Sequence, residues 1–170
     1  MITLVLGGTR SGKSQVAEAL VSVAPGAVTY VATGQVTDDD MAARIAAHRA
    51  RRPAGWATVE AGHDLPAVLS GLAGHALVDS LGTWVAGHGD LAPDASALCA
   101  ALRSRSRAGT GDTVIVSEEV GLGVHPATAV GRRFADVLGG LNQVVADEAD
   151  RVLLVVAGRV LPLERAPGGA

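Results

Sequence analysis

The chain has 170 residues, 48% of them hydrophobic and 18% charged, which is enough apolar material for the buried core of one ordinary domain. Fourteen basic against seventeen acidic side chains give a net charge of -3, and no Lys/Arg-dense stretch offers a footprint for nucleic acid, so a small-molecule partner is expected. The single cysteine, Cys99, excludes an internal disulfide and a cysteine-based zinc cage and suits a reducing cytoplasm, while no apolar run reaches the ~18–20 residues of a membrane span and no basic segment precedes the first apolar one.

The first apolar run, residues 2–8 (ITLVLGG), reads as a buried strand. It leads into GGTRSGKS, Gly7 to Ser14, and then into a helical pattern at about 13–23. A strand, a glycine-rich loop and a helix form the context in which GxxxxGK[ST] holds phosphate. Gly7 and Gly12 let the backbone around Gly8, Thr9, Arg10 and Ser11 close on phosphate oxygens at a helix N-terminus. Lys13 is the one lysine among fourteen basic residues. A compact ammonium can turn its three donors toward β- and γ-phosphates where a planar guanidinium cannot, which accounts for a lysine kept in a chain that otherwise uses arginine. Ser14 is the expected Mg2+ ligand.

Residues 27–34 (AVTYVATG) read as a second strand, and a helical pattern follows at 38–50. Thr37 is placed to cap it, Asp38, Asp39 and Asp40 lie at the positive end of its dipole, and Pro53 stands beyond its basic end. On that helix Arg44, His48 and Arg51 or Arg52 share a face. An imidazole among guanidiniums suits attack on a phosphorus whose charge the arginines absorb, and their charge keeps it neutral against the pull of the helix C-terminus; the alternative is a solvated bystander on an exposed helix face. A helical pattern at 63–73 precedes the strand 76–80 (ALVDS), in which Asp79 is the expected Mg2+ carboxylate, the alternative being a cap on the loop that follows. After a helix at 94–107 with Cys99 buried in it, and a loop at 108–112 (AGTGD), comes the strand 113–119 (TVIVSEE). Its Glu118 and Glu119 are each a base or a solvated edge residue. Residues 127–149 read as a packing helix through Val130, Phe134, Val137 or Leu138, Leu141 and Val145, and 151–158 (RVLLVVAG) as the last strand. Continuous rather than alternating hydrophobicity with helices between predicts an α/β P-loop fold, a mostly parallel sheet with helices on both faces, over residues 1–163, with 164–170 a flexible tail.

The stretch DSLG, 79–82, fits the DxxG of a GTPase switch, but the NKxD that reads guanine needs a lysine and the only one sits in the P-loop. A small-molecule kinase and a non-catalytic nucleotide sensor remain as rival readings. In order along the chain, GGTRSGKS, YVATGQ, DDDMAARIAAHRARRPAGW, TVEA, LVDSLGTWVA, VSEEVGLGVHP and GRRFADVLGGLNQVVADEADRVLLVVAG resemble the bifunctional adenosylcobinamide kinase/adenosylcobinamide-phosphate guanylyltransferases of cobalamin biosynthesis, from residue 1 to about 163.

That resemblance implies two reactions. The γ-phosphate of a nucleoside triphosphate, GTP or ATP, passes to the aminopropanol hydroxyl of adenosylcobinamide. A histidine then attacks the α-phosphorus of GTP, releases pyrophosphate and carries GMP to the phosphorylated corrinoid. His48 matches the guanylylated histidine. Arg49, Ala50, Arg51 and Arg52, with Ala32, Thr33, Gly34, Glu60 and Asp79, fall where the family binds nucleotide. The implied fold is a RecA-like P-loop sheet and the implied assembly a homotrimer. Some relatives carry two adjacent histidines where this chain has Ala47 and His48, which leaves His48 as the one nucleophile. The family usually has Asn-Glu before Val-Gly, whereas this chain has Glu118-Glu119, and the C-terminal LPLERAPGGA is short enough to leave an edge strand or subunit contact incomplete.

The remaining residues read more plainly. His63, His75 and His88 lack ligand spacing and are expected at the surface or in loops, and Trp56 and Trp84 in the core or an interface. His125, in GVHP, stands where the family usually has an apolar residue, and facing the cobinamide arm is the minority reading of it. Arg103, Arg105 and Arg107 are expected to mark a solvated helix end.

Overall fold

Parallel strands cannot be joined by a tight turn, so each return of the chain passes through a crossover, and the helices of this protein are those crossovers. The computed structural model describes residues 1–34 and 53–166, and the helix expected at 38–50 lies outside them. The described elements are β1 (Ile2–Gly7), α1 (Lys13–Ser22), β2 (Val28–Ala32), β3 (Ala57–Glu60), α2 (Leu65–Gly71), β4 (His75–Asp79), α3 (Leu81–Gly87), α4 (Ala95–Ala108), β5 (Thr113–Glu118), α5 (Ala129–Glu148), β6 (Arg151–Val156) and β7 (Arg159–Leu163). Among the described residues the strands form one seven-stranded sheet, ordered β3-β2-β4-β5-β1-β6-β7, parallel throughout except for the antiparallel β6–β7 hairpin.

Alternate residues of the central strands feed opposite faces. Leu4, Val31, Val78 and Ile115 join one core with Leu65 and Leu69 of α2, Trp84 of α3, Leu98 and Leu102 of α4 and Leu138 and Leu141 of α5. Val5, Tyr30, Leu77 and Val116 join the other, with Ala17 and Val21 of α1 and with Trp56 packed against it. Both faces are covered, as a continuously apolar strand requires. Cys99 is buried in α4, where burial, with Glu148 adding to it, pushes its thiol pKa up and leaves it an inert core residue.

Three elements escaped the reading of the sequence. Strand β3 has four residues, three of them exposed, and so carries no apolar run. Helix α3 has seven residues with a glycine at its second and last positions, and it is held by a capping box in which the Ser80 hydroxyl accepts the Thr83 N–H and Thr83 caps Ser80 in return. Strand β7 contains Pro162, tolerated because β7 is the sheet edge. Helix α5 is capped by Thr128, whose side chain accepts the Gly131 N–H, and buries Leu138, Leu141 and Val145, but Val130 in its first turn is 71% exposed and lies outside the buried core.

The expected solvated arginine end of α4 is corrected at one position. Arg105 is 3% exposed: Nη1 donates to the carbonyls of Leu69 (3.1 Å) and Leu72 (2.6 Å), Nη2 to Gly74 (2.9 Å) and Nε to Thr113 Oγ1 (3.2 Å). It closes the end of α2, which lacks a glycine cap, and ties it to β5. Burial lowers the guanidinium pKa, but the group stays protonated at any working pH. His75 is corrected likewise. It opens β4, with Nδ1 accepting the Asp112 N–H at 3.0 Å and Nε2 3.2 Å from the Pro25 carbonyl. Arg105→Met is expected to leave those carbonyls unpaired and cost about 3 kcal/mol in urea unfolding, whereas Arg107→Ala on the exposed side costs roughly nothing.

Candidate functional site

The register of the sheet decides which residues meet. Gly7 stands opposite Glu118, Asp79 opposite Val116 and Ala32, and Ala32 opposite Glu60. Parallel pairing therefore sets Gly7, Glu118, Asp79, Ala32 and Glu60 along one edge, the carboxyl ends of the strands, where ligands of open α/β sheets gather. Asp79 and Glu60 are level with Val5, two residues behind Gly7, so at ~4.8 Å per strand and ~3.3 Å per residue Asp79 stands about 12 Å from Gly7 and Glu60 about 20 Å. Asp79 is within reach of a group held by the loop. Glu60, exposed, belongs to a different part of any ligand.

Between Gly7 and Lys13 the chain turns tightly over the end of β1. Gly12 caps α1 in the left-handed region at φ 94°, and its Cα side faces Gly158, so any side chain there is strained. Arg10 also takes a positive φ of 59°. The loop is tied down from both sides: the Ser11 N–H donates to Gly8 O (3.2 Å), Ser11 Oγ accepts from Lys13 N (3.3 Å), and Gly158 N donates to Ser11 O (2.8 Å). Gly8, Thr9 and Arg10 are exposed and Ser14 partly so, in the first turn of α1, where unpaired N–H groups and the positive end of the dipole favour an anion.

Lys13 Nζ donates to Gly8 O at 3.4 Å and lies 3.5 Å from Glu118 Oε1. The same carboxylate accepts Ser80 Oγ at 3.1 and 3.0 Å through its two oxygens. A Cβ on Gly82 would meet Glu118 Oε2, so a side chain there would have to push this carboxylate from its place beside Ser80. Asp79 accepts the Tyr30 hydroxyl at 3.0 Å. Ser80, Gly82 and Tyr30 were not legible as site residues, since their partners come from other strands. Glu119 turns away from Lys13. Its Oε1 and Oε2 accept the N–H groups of Gly121 (2.7 Å) and Leu122 (2.9 Å) and shape the loop after β5, and its own N–H donates to Gly7 O at 3.1 Å.

The hydroxyl of Thr33, 3% exposed, donates to Ser80 O at 2.6 Å and lies 2.7 Å from Thr83 Oγ1, so it locks the end of β2 to the start of α3. Gly34 lies against Thr83 as well. His48, Arg49, Ala50, Arg51 and Arg52 lie outside the described residues, as does Arg44. His63 is exposed, but His88 is half-buried, its ring edge-on to those of His63 (4.5 Å between centroids) and Trp84 (5.4 Å). No group of three or more His, Cys, Asp or Glu side chains able to hold a metal occurs among the described residues. The donors at this edge are instead oxygens, the Ser14 hydroxyl with the carboxylates of Asp79 and Glu118, a sparse set that fits Mg2+, which takes one or two carboxylates and completes its shell with phosphate and water.

Residues 3–163 match the model of a family described as cobinamide kinase / cobinamide phosphate guanyltransferase. A bifunctional adenosylcobalamin biosynthesis protein of Pseudomonas aeruginosa is 41% identical over 98% of this chain and 99% of its own length. Proteins of the same description from Salmonella typhimurium and Escherichia coli are each 38% identical over 93% of this chain and 97% of their own. Among solved structures, the flagellar accessory protein FlaH of Methanocaldococcus jannaschii superposes with a TM-score of 0.55 at 14% identity, over 94% of this chain and 74% of FlaH. An ATPase of a bacterial type III secretion system gives 0.56 at 11%, over 90% of this chain and 50% of its own. At such identities the likeness concerns the fold alone, and it is the RecA-like α/β sheet of P-loop NTPases.

Without metal, a triphosphate arriving at Lys13 meets the Glu118 charge. Glu118→Gln keeps an acceptor for Ser80 and removes that charge, so in metal-free buffer the affinity for a fluorescent triphosphate is expected to rise about fivefold, the scale of one partly exposed ion pair. Unchanged affinity would mean that the pair does not compete with phosphate.

Proposed function

The chain belongs to the cobinamide kinase / cobinamide phosphate guanyltransferase family, and on that premise we propose that it phosphorylates the aminopropanol hydroxyl of adenosylcobinamide and then transfers GMP from GTP to the product. What carries the reading is the convergence of Lys13, Asp79 and Glu118 on one sheet edge, in a chain aligned almost end to end with bifunctional relatives.

In the first step the N–H groups of the loop from Gly7 to Ser14 hold the phosphates of GTP or ATP, and Lys13 leaves Glu118 for the β- and γ-phosphates. Ser14 and Asp79 would hold Mg2+, which neutralises charge on the phosphates when bound. The corrinoid hydroxyl attacks the γ-phosphorus, the bond to the bridging oxygen breaks, and the nucleoside diphosphate leaves. Glu118, relieved of Lys13 and anchored by Ser80, is a carboxylate at the same edge able to accept the proton of that hydroxyl. In the second step a nitrogen of His48 attacks the α-phosphorus of GTP and expels pyrophosphate, and a phosphate oxygen of the corrinoid then displaces the imidazole. Arg49, Ala50, Arg51 and Arg52 would supply the guanidiniums and backbone around that phosphorus, with Ala32, Thr33, Gly34 and Glu60 toward the nucleoside. We read residues 1–163 as one transferase unit working in the cytoplasm as a homotrimer, an assembly in which a second copy would cover the exposed Val160, Leu161 and Leu163 of β7.

Incubation with GTP and Mg2+ but no corrinoid is expected to add one GMP to the intact mass, labile to mild acid and absent in His48→Ala. A folded wild-type protein that phosphorylates adenosylcobinamide yet forms no adduct would restrict the chain to the kinase reaction.

A further inference from the structure

One pocket is not used by any nucleotide-binding group. It has a volume of about 570 Å³ and lies between Leu6 of β1, the loop after β5 and the exposed side of α5. Its wall begins one residue before the P-loop, because Leu6 precedes Gly7 and the Glu119 N–H is bonded to Gly7 O at 3.1 Å. An acceptor hydroxyl has to come within roughly 3–3.5 Å of the γ-phosphorus for transfer. A pocket whose wall adjoins the phosphate loop is the cavity best placed to present such a hydroxyl.

Its chemistry is equally specific. Asn142 is spent on Ser117 and the Glu118 carbonyl, and Glu119 on its own loop. That leaves His125, Asp136 and Gln143 as polar groups lining the space, with Gly139 as a floor without a side chain. An amide, a carboxylate and an imidazole complement primary amides and a hydroxyl, not phosphate. Val124, which lines the pocket, is 97% exposed, and Leu122, between the lining residues Gly121 and Gly123, is 77% exposed, apolar surface suited to a flat hydrophobic body.

We propose that this pocket, lined by His125, Asp136, Gly139 and Gln143 beside the P-loop strand, binds the amide-bearing periphery and alcohol arm of the corrinoid, with the ring resting on Leu122 and Val124. The inference rests on the function proposed above. It gives the otherwise unexplained apolar loop and the imidazole of GVHP a single purpose.

The test is a filling substitution. A Cβ on Gly139 meets only Val120 Cγ2, at 4.0 Å, and helices favour other residues over glycine, so Gly139→Leu is expected to fold and to occupy the pocket. Adenosylcobinamide binding is followed by equilibrium dialysis, using corrinoid colour, and fluorescent GTP binding is measured in parallel. Gly139→Leu and Gln143→Ala are expected to weaken corrinoid binding at least tenfold and fivefold, with nucleotide affinity within twofold of wild type. Corrinoid binding unchanged in both variants would overturn the pocket. No corrinoid binding by a wild-type protein that binds GTP would overturn the functional reading itself and the pocket with it. A loss of both ligands in Gly139→Leu leaves Gln143→Ala to decide.

Discussion

Strand β1 is paired in parallel on both sides, with β5 opposite it from Ile2 to Gly7 and β6 from Thr3 to Gly7, and its buried residues reach into both cores. Because parallel strands all point the same way, the carboxyl end of β1 drags the ends of β5, β4, β2 and β3 to the same edge. The loop that leaves β1 at Gly7 therefore emerges beside Glu118 and within about two strands of Asp79, a juxtaposition made by backbone register before any side chain is chosen. A one-residue slip of β5 against β1 would turn Glu118 to the other face and break the site.

On that edge the nucleotide-free chain satisfies its own charges. Lys13 rests against Glu118, Glu118 against Ser80, and Ser80 closes the capping box of α3, so the one lysine of the chain is held by groups anchored in two other elements. On the function proposed above, a lysine already ordered at that edge would lower the ordering cost of binding phosphate, against the electrostatic cost of displacing the Glu118 carboxylate. Thr33 bonded to Ser80 O extends the network to β2, whose end leads toward the segment carrying His48.

Much of this was legible beforehand because it is local. The P-loop is one contiguous stretch, the buried strands are continuous apolar runs, and Asp79 and Glu118 sit where those runs end. What was not legible depends on partners distant in sequence. Arg105 looks like its neighbours Arg103 and Arg107, and only the carbonyls of Leu69, Leu72 and Gly74, some thirty residues away, give it a buried role. The GTPase reading of DSLG falls on the missing lysine of NKxD, but that the Glu118 carboxylate packs over Gly82 could not be read from the sequence. Strand β3 lacks an apolar run because it is a mostly exposed edge strand, β7 carries a short apolar run that Pro162 disguises as a non-strand, and Val130 shows the reverse error, a residue at helical spacing that lies one turn too early to reach the core.

The central claim is that the γ-phosphate held by this loop ends on a corrinoid alcohol. It is tested most directly by incubating the folded protein with adenosylcobinamide and, in parallel, with γ-labelled GTP and γ-labelled ATP, and following label into the corrinoid in wild type and in Lys13→Ala. The account predicts label in the corrinoid from at least one donor with the wild type, and none with the variant. A wild-type protein that binds triphosphate and corrinoid but leaves the corrinoid unlabelled would contradict it.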